Sequence, residues 1–312
     1  MIWLMLILAV VVALPLIAEY RRRIMDDAAR GGATGQFVRL SQGVTHFEWF
    51  GPAHGPVIIC IHGLTTPSFV WRGMTRALAL SGYRVLTYDH FGRGFSDRPS
   101  GVQDQRFFLQ QLGELLAHEG VEDNLTLVGY SMGGAVATAF AGAYPDRVSQ
   151  LILLASAGTR PLGKGLIGFI KNTPLLGDWL VLALYPALLR KGLRAERDIP
   201  GSVPNINDLQ LQEMTFRGFF PAVLASLRGI LSENLPEAHK TIAARGIPVL
   251  AIWGREDVLI PLSAVGRLAE WHRDARQEVL DGAGHGLTYT HTDDVLRLMR
   301  GWMKNPPDGS KT

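Results

Sequence analysis

Beyond residue 36 the chain alternates between short runs that are apolar or β-branched at nearly every position and longer stretches with helical spacing. The runs are "VTHFEWFG" at 44–51, "PVIICIHG" at 56–63, "YRVLTYD" at 83–89, "LTLVG" at 125–129, "SQLILLAS" at 149–156, "IPVLAIWG" at 247–254 and "RQEVLDG" at 276–282. Helical spacing follows "TTPSF" at 65–69, recurs around 105–119, and begins again after Ser131. A run that is apolar throughout has no face to show to water. Such runs predict strands of a mostly parallel sheet with helices on both faces, an α/β fold whose functional groups collect at the carboxyl ends of the strands.

The alternation stops after Ala157. Residues 159–245 read as helical, Pro-punctuated and in places strongly apolar, as in "GLIGFIKNTPLLGDWLVLALYPALL" and "FRGFFPAVLASLRGIL". This block predicts a helical cap inserted over the open end of the sheet. The expected organisation is then a core over 36–158, the cap over 159–245, the second part of the core over 246–303, and a tail over 304–312.

The amino terminus follows a different pattern. From Ile2 to Ala18 there is no charge, and the run ends at "EYRRR". Seventeen residues at about 1.5 Å each span roughly 25 Å, near the thickness of a bilayer's hydrocarbon layer. A cleaved signal peptide would carry its positive charge before the apolar region and small residues at the cut. Here the arginines follow it, and Leu16 with Ala18 form a weak cleavage site. The expectation is a retained N-terminal transmembrane helix as membrane anchor over 1–20. The positive-inside rule then holds the remainder in the cytoplasm. Residues 21–35, including most of "DDAARGGATGQ", read as a flexible linker.

Composition narrows the function classes. An apolar content of 47% in 312 residues supports a sizeable core, and the net charge of +3 owes much to Arg21, Arg22 and Arg23. Elsewhere basic residues are scattered among acids, which leaves nucleic-acid binding without support. The single cysteine, Cys60, excludes an intrachain disulfide framework and a Cys-rich zinc site. It reads as a buried strand residue. Nothing in the sequence calls for a cofactor or a metal.

The candidate chemistry begins at Gly129-Tyr130-Ser131-Met132-Gly133, a Gly-x-Ser-x-Gly pattern between a strand run and a helical run. A strand turning sharply into a helix strains its turn residue, and side chains two positions away on either side would collide. Glycines at 129 and 133 remove that collision and leave Ser131 exposed beside a helix N-terminus. A serine hydroxyl needs a base, and the base needs an orienting carboxylate. Of the nine histidines, His46, His54, His118, His239 and His291 fall in surface-like or loop contexts. His62 and His90 follow strands but precede Ser131, and His272 lies in a helical pattern. His285, in "DGAGHG" after the last strand run, has glycines around it that let a ring reach inward from a loop. The acid is expected in "WGREDVLIP", where Asp257 is the candidate and the neighbouring Glu256 its competitor.

With these motifs in order, the chain resembles the capped serine hydrolases of the α/β-hydrolase fold over residues 36–303. The resemblance rests on "HGLTT" at 62–66, "YDHFGRGFSDRP" at 88–99, "GYSMGG" at 129–134, "WGREDVLIP" at 253–261 and "GAGHG" at 282–286. It implies a triad of Ser131, Asp257 and His285, and an oxyanion hole from the backbone N–H groups of Leu64 and Met132. It also implies structural roles for His62 and for the turn of Asp89, Gly92, Arg93, Gly94 and Ser96. Serine at the elbow departs from the aspartate of haloalkane dehalogenases and epoxide hydrolases. The elbow is similar to those of monoacylglycerol lipases and carboxylesterases, and also to those of carbon–carbon bond hydrolases. The cap's Phe169, Trp179, Phe216, Phe219, Phe220 and leucines, with a membrane anchor, favour a lipid ester such as a monoacylglycerol or lysophospholipid. A carbon–carbon hydrolase would need cap cations for a substrate carboxylate, with Arg217 and Arg228 as candidates. A membrane-tethered scaffold that kept the fold and lost the activity is the contrasting class.

Overall fold

The computed structural model describes residues 1–163 and 165–303 of the chain; the tail expected over 304–312 lies outside the described residues. Eight strands form one sheet: β1 (Gln36–Leu40), β2 (Gly43–Phe50), β3 (Val57–Ile61), β4 (Arg84–Tyr88), β5 (Leu125–Tyr130), β6 (Val148–Leu154), β7 (Val249–Gly254) and β8 (Arg276–Leu280). Their order across the sheet is β1-β2-β4-β3-β5-β6-β7-β8. β2 pairs antiparallel with β1 and with β4, and every later pairing is parallel. The mostly parallel sheet expected from the apolar runs is present, with an antiparallel edge. β1 was not among the expected strands, because "QFVRL" is a short edge strand that is only partly covered and has no continuous apolar run.

The helices are α1 (Ile2–Tyr20), α2 (Asp27–Arg30), α3 (Arg72–Leu80), α4 (Gln105–His118), α5 (Met132–Ala143), α6 (Gly165–Asn172), α7 (Leu176–Ala195), α8 (Ile206–Glu213), α9 (Phe219–Arg228), α10 (Pro236–Ala244), α11 (Ser263–Trp271), α12 (Leu287–Thr290) and α13 (Thr292–Trp302). Alternate residues along each strand point to opposite faces, so the sheet carries two cores. One face presents Ile59, Ile61, Leu127, Leu151 and Trp253 to α4, α5, α10 and α11. The other presents Ile58, Cys60, Val128, Ile152 and Ile252 to α3, α12 and α13. Cys60 is fully buried there, which pushes its thiol pKa up and leaves it protonated.

Between β6 and β7 the chain is helical. Phe219, Phe220, Val223 and Leu227 of α9 join the first core, while Ile170 of α6, Val181 of α7 and Leu224 of α9 form a small cluster of their own. The inserted block is therefore built outward from α9, and most of its expected aromatic residues serve packing. Phe216, Phe219 and Phe220 are buried, whereas Phe169 is exposed.

The segment after α1 is not a free tether. Glu19 is buried and accepts hydrogen bonds from the Gly218 N–H at 2.6 Å and the Arg22 guanidinium at 2.7 Å. Arg22 also donates to the Met214 carbonyl, and the Arg23 and Arg217 backbones exchange contacts with Thr215 and Arg23. Asp26 caps α2, whose Arg30 donates to the Phe95 carbonyl and to Asp97. A carboxylate removed from water must be paired, and the pairing of Glu19 draws the flanking chain onto the Met214–Gly218 turn. Composition alone suggested flexibility because Gly and Ala carry no sign of these partners.

Residue 34 is fastened as well. His46 is buried on β2, contrary to the surface or loop setting expected for it; its Nδ1 lies 2.8 Å from Asp89 and its Nε2 lies 2.6 Å from the Thr34 carbonyl. Both partner atoms only accept, so both ring nitrogens carry protons and the ring is an imidazolium. Burial opposes that charge, but the bond and charge of Asp89 and the Thr34 carbonyl outweigh it, and the pKa is raised. A raised histidine pKa gives stability that is fully present below the unfolded value of about 6.5 and is lost as pH rises through the folded value. His46→Gln should therefore lower the melting temperature more at pH 6 than at pH 9. Equal losses at the two pH values would contradict a charged His46.

Candidate active site

Ser131 sits between β5 and α5 with φ 54° and ψ −118°, a conformation that a residue with a side chain rarely adopts. The backbone around it is held on three sides. Its N–H donates to Leu154 on β6 at 2.9 Å, and its carbonyl accepts from Ala157 at 2.9 Å and from Gly134 at 3.0 Å. The glycines expected to permit the turn have no room for anything larger. A Cβ on Gly129 would lie 2.4 Å from the Gly133 carbonyl oxygen, and one on Gly133 would lie 2.0 Å from the Ile61 carbonyl oxygen on β3. Strain in the turn is therefore sustained by contacts with β3, β5, β6 and α5 together.

The three residues expected to act together do meet. His285 lies in the loop between β8 and α12, and its Nε2 is 2.9 Å from Ser131 Oγ. Its Nδ1 is 2.8 Å from Asp257 Oδ2. Asp257 is buried in the loop after β7, and its other oxygen accepts the N–H groups of Leu259 and Ile260, each at 2.8 Å. A carboxylate that only accepts requires the proton on Nδ1, which leaves Nε2 free to accept from the serine hydroxyl. The competing acid Glu256 is exposed; its backbone N–H donates to the Ala283 carbonyl, and its carboxylate faces the charge of Arg255. Sequence reading found Asp257 but not the two amides that hold it. The signal was the apolar "LI" two and three residues on, which is the spacing of an Asx turn.

Ser131 is only 7% exposed, and the Tyr130 ring lies 5.5 Å from the His285 ring. Ser131 is thus buried rather than exposed as the elbow pattern predicts, shielded from bulk water beside the Tyr130 and His285 rings. Met132 opens α5, and as its first residue has no intrahelical acceptor for its N–H. Gly63 brings the Leu64 loop beside the serine, since a Cβ on Gly63 would lie 3.3 Å from Ser131 Cβ. The N-terminus of α5 and the Leu64 loop therefore both lie beside this serine.

The other polar groups nearby are tied into the scaffold. His62 Nδ1 donates to the Gly63 carbonyl at 2.7 Å, its Nε2 accepts from the His90 N–H at 2.9 Å, and burial lowers its pKa to about 4. Asp89 accepts from His46, Ser68 and Phe95 and so clamps the turn after β4. His239 is buried rather than surface-placed and stacks on Trp271. Arg228 pairs with Asp178 at 2.7 Å, and Arg217 donates to the Tyr20 carbonyl. Neither arginine is left unengaged.

The model of the alpha/beta hydrolase fold family matches residues 56–292. A 2-hydroxymuconate semialdehyde hydrolase from Pseudomonas sp. strain CF600 is 31% identical over 235 residues, covering 73% of this chain and 79% of its own. Lipase 1 of Psychrobacter immobilis is 30% identical over 243 residues, covering 75% and 73%. Among solved structures, an esterase from Exiguobacterium antarcticum superposes with a TM-score of 0.71 at 20% identity, covering 86% of this chain and 99% of that one. At that identity the superposition speaks for the fold alone.

The close approach at the elbow has a direct consequence. Gly133→Ala should destabilise the protein by about 3 kcal/mol or more, the upper end for overpacking, because the obstructing atom is a backbone carbonyl of β3. Urea unfolding midpoints in detergent check this, and a variant of wild-type stability would contradict the contact.

Proposed function

The chain belongs to the alpha/beta hydrolase fold family, and from that premise we propose that it is a serine hydrolase cleaving carboxylic esters through an acyl-enzyme. Its substrates are lipid-like, of the monoacylglycerol or lysophospholipid type. The observation that carries the reaction type is the unbroken hydrogen-bond relay from Asp257 through His285 to Ser131.

In this mechanism Ser131 Oγ attacks the ester carbonyl carbon as its proton passes to His285 Nε2. The imidazolium so formed is stabilised by Asp257, which its two backbone amide contacts hold in place. The tetrahedral oxyanion accepts from the N–H groups of Leu64 and Met132. Collapse expels the alcohol, which takes the proton from His285 and leaves an acyl-serine. Water, deprotonated by the same nitrogen, then releases the acid and restores the hydroxyl. No step requires a metal or cofactor.

The substrate class rests on the inserted block and on α1. Leu166, Phe169, Leu175, Leu176, Leu184 and Leu188 are exposed on the block, and α1 is an exposed helix of mean hydropathy 2.6, long and apolar enough to cross a membrane. We take α1 as the anchor, with the catalytic part on the cytoplasmic side. The 31% identical 2-hydroxymuconate semialdehyde hydrolase keeps a second reading in view, carbon–carbon bond hydrolysis of ring-fission products. That reading needs a cation for the substrate carboxylate, and Arg217 and Arg228 are already engaged.

With p-nitrophenyl butyrate, Ser131→Ala and His285→Ala should each lower kcat about 10³-fold or more, and the double variant should be no worse than either alone. Near-normal turnover in either variant would contradict the mechanism. Rates should rise from acetyl to longer acyl esters and extend to monoacylglycerols; a sharp acetyl preference would sink the lipid assignment, and faster cleavage of a ring-fission diketone would favour the second reading. Deleting residues 2–16, which leaves Glu19 in place, should move the protein from the membrane fraction to the soluble one. Equal partitioning of both forms would refute the anchor.

A further inference from the structure

Arg93, in the turn after β4, is fully buried, and among the described residues no carboxylate lies within ion-pair distance of it. Its guanidinium donates instead to five neutral acceptors. These are the carbonyls of Leu64 at 3.1 Å, Phe91 at 3.0 Å and Ala222 at 3.1 Å, Gln103 Oε1 at 2.5 Å, and Ser226 Oγ at 2.8 Å. A buried cation whose nearby carboxylate, Glu213, acts on it only from beyond contact distance is costly, so its retention points to what the fork connects. The Ser226 hydroxyl in turn donates a hydrogen bond to Gln103 Oε1 at 2.6 Å, which closes the network.

The acceptors come from parts of the chain that are far apart in sequence. Leu64 lies in the loop after β3, beside the nucleophile. Ala222 and Ser226 lie on α9, the helix from which the inserted block is built. Contact between the turn and α9 is close: a Cβ on Gly92 would lie 2.4 Å from Ala222 Cβ. The bond to the Leu64 carbonyl holds the Leu64–Thr65 peptide, which adjoins the Gly63–Leu64 peptide carrying the Leu64 N–H, and so narrows the range over which that N–H can turn. An oxyanion donor works only within a few tenths of an ångström of its place, and a displacement of about 1 Å can cost about 100-fold in rate.

We propose that Arg93 is a positioning residue that ties the loop bearing the Leu64 N–H to α9, so that the oxyanion donors are in register with Ser131 only while the inserted block is seated. This goes beyond the structural turn role expected for Arg93 and rests on the ester-hydrolase reading above. Lysine keeps the charge but has a compact ammonium in place of the planar fork, and it cannot span acceptors on both sides.

The test uses full-length protein in detergent, with p-nitrophenyl butyrate and an alkylboronic acid that forms a tetrahedral adduct with the active serine. Arg93→Lys and Arg93→Gln should lower kcat about 10- to 100-fold, weaken boronate binding in the same proportion, and change KM far less. Ser226→Ala should shift both quantities in the same direction by a smaller factor. A role in stability alone would lower the melting temperature and leave kcat and boronate affinity of the folded enzyme unchanged. A folded Arg93→Lys variant with wild-type kcat and boronate affinity overturns the proposal, and so does a fall in kcat with unaltered boronate affinity. If neither Arg93 variant folds, Ser226→Ala decides, and wild-type values for it overturn the proposal. A wild-type protein that neither turns over the ester nor binds the boronate defeats the hydrolase reading and this inference with it.

Discussion

The turn at Ser131 is the constraint on which the site depends. Its positive φ is tolerable only because β3, β5, β6 and α5 all press on it, and because residues 129 and 133 present no Cβ to one another or to β3. Those contacts fix the hydroxyl at the carboxyl edge of the sheet, where the loops after β7 and β8 deliver Asp257 and His285. The acid is buried and held by two amides, the base is held by the acid, and the serine hydroxyl is the last member of that chain. Each link is short, and each depends on the rigidity of the one before it.

Much of this was legible in the sequence, for identifiable physical reasons. Fully buried parallel strands must be apolar at consecutive positions, and so "VIICI", "LTLVG" and "LAIWG" announced themselves. The elbow was legible because its steric demand leaves glycine alone at two fixed offsets. His285 and Asp257 were found through their place after strands, a consequence of parallel topology rather than of their own neighbours. What escaped notice depends on contacts between distant residues. The edge strand β1 has no continuous apolar run. His46 sits in a polar-looking stretch, and its burial follows from Asp89, 43 positions away. The segment after α1 is ordered by Glu19 reaching Gly218, a pairing that composition does not encode.

The chemistry and the choice of substrate have separate origins in this chain. In the proposed reaction the sheet and its loops supply a hydroxyl, a base, an acid and two amide donors, an arrangement indifferent to what lies beyond the ester carbonyl. The helices between β6 and β7, joined to α1 through Glu19 and through the Trp179 indole donating to the Val12 carbonyl at 3.0 Å, carry the exposed apolar surface. Arg93 links the two parts, because one guanidinium touches the Leu64 loop and α9 at once.

In the proposed mechanism Ser131 is the nucleophile, activated by His285. The most direct test is reaction of the purified protein with a fluorophosphonate, followed by peptide mapping of the adduct. A single phosphonylated residue, Ser131, is expected, with labelling abolished in Ser131→Ala and greatly slowed in His285→Gln. An adduct on another residue, or labelling of the Ser131→Ala protein equal to that of the wild type, would contradict it.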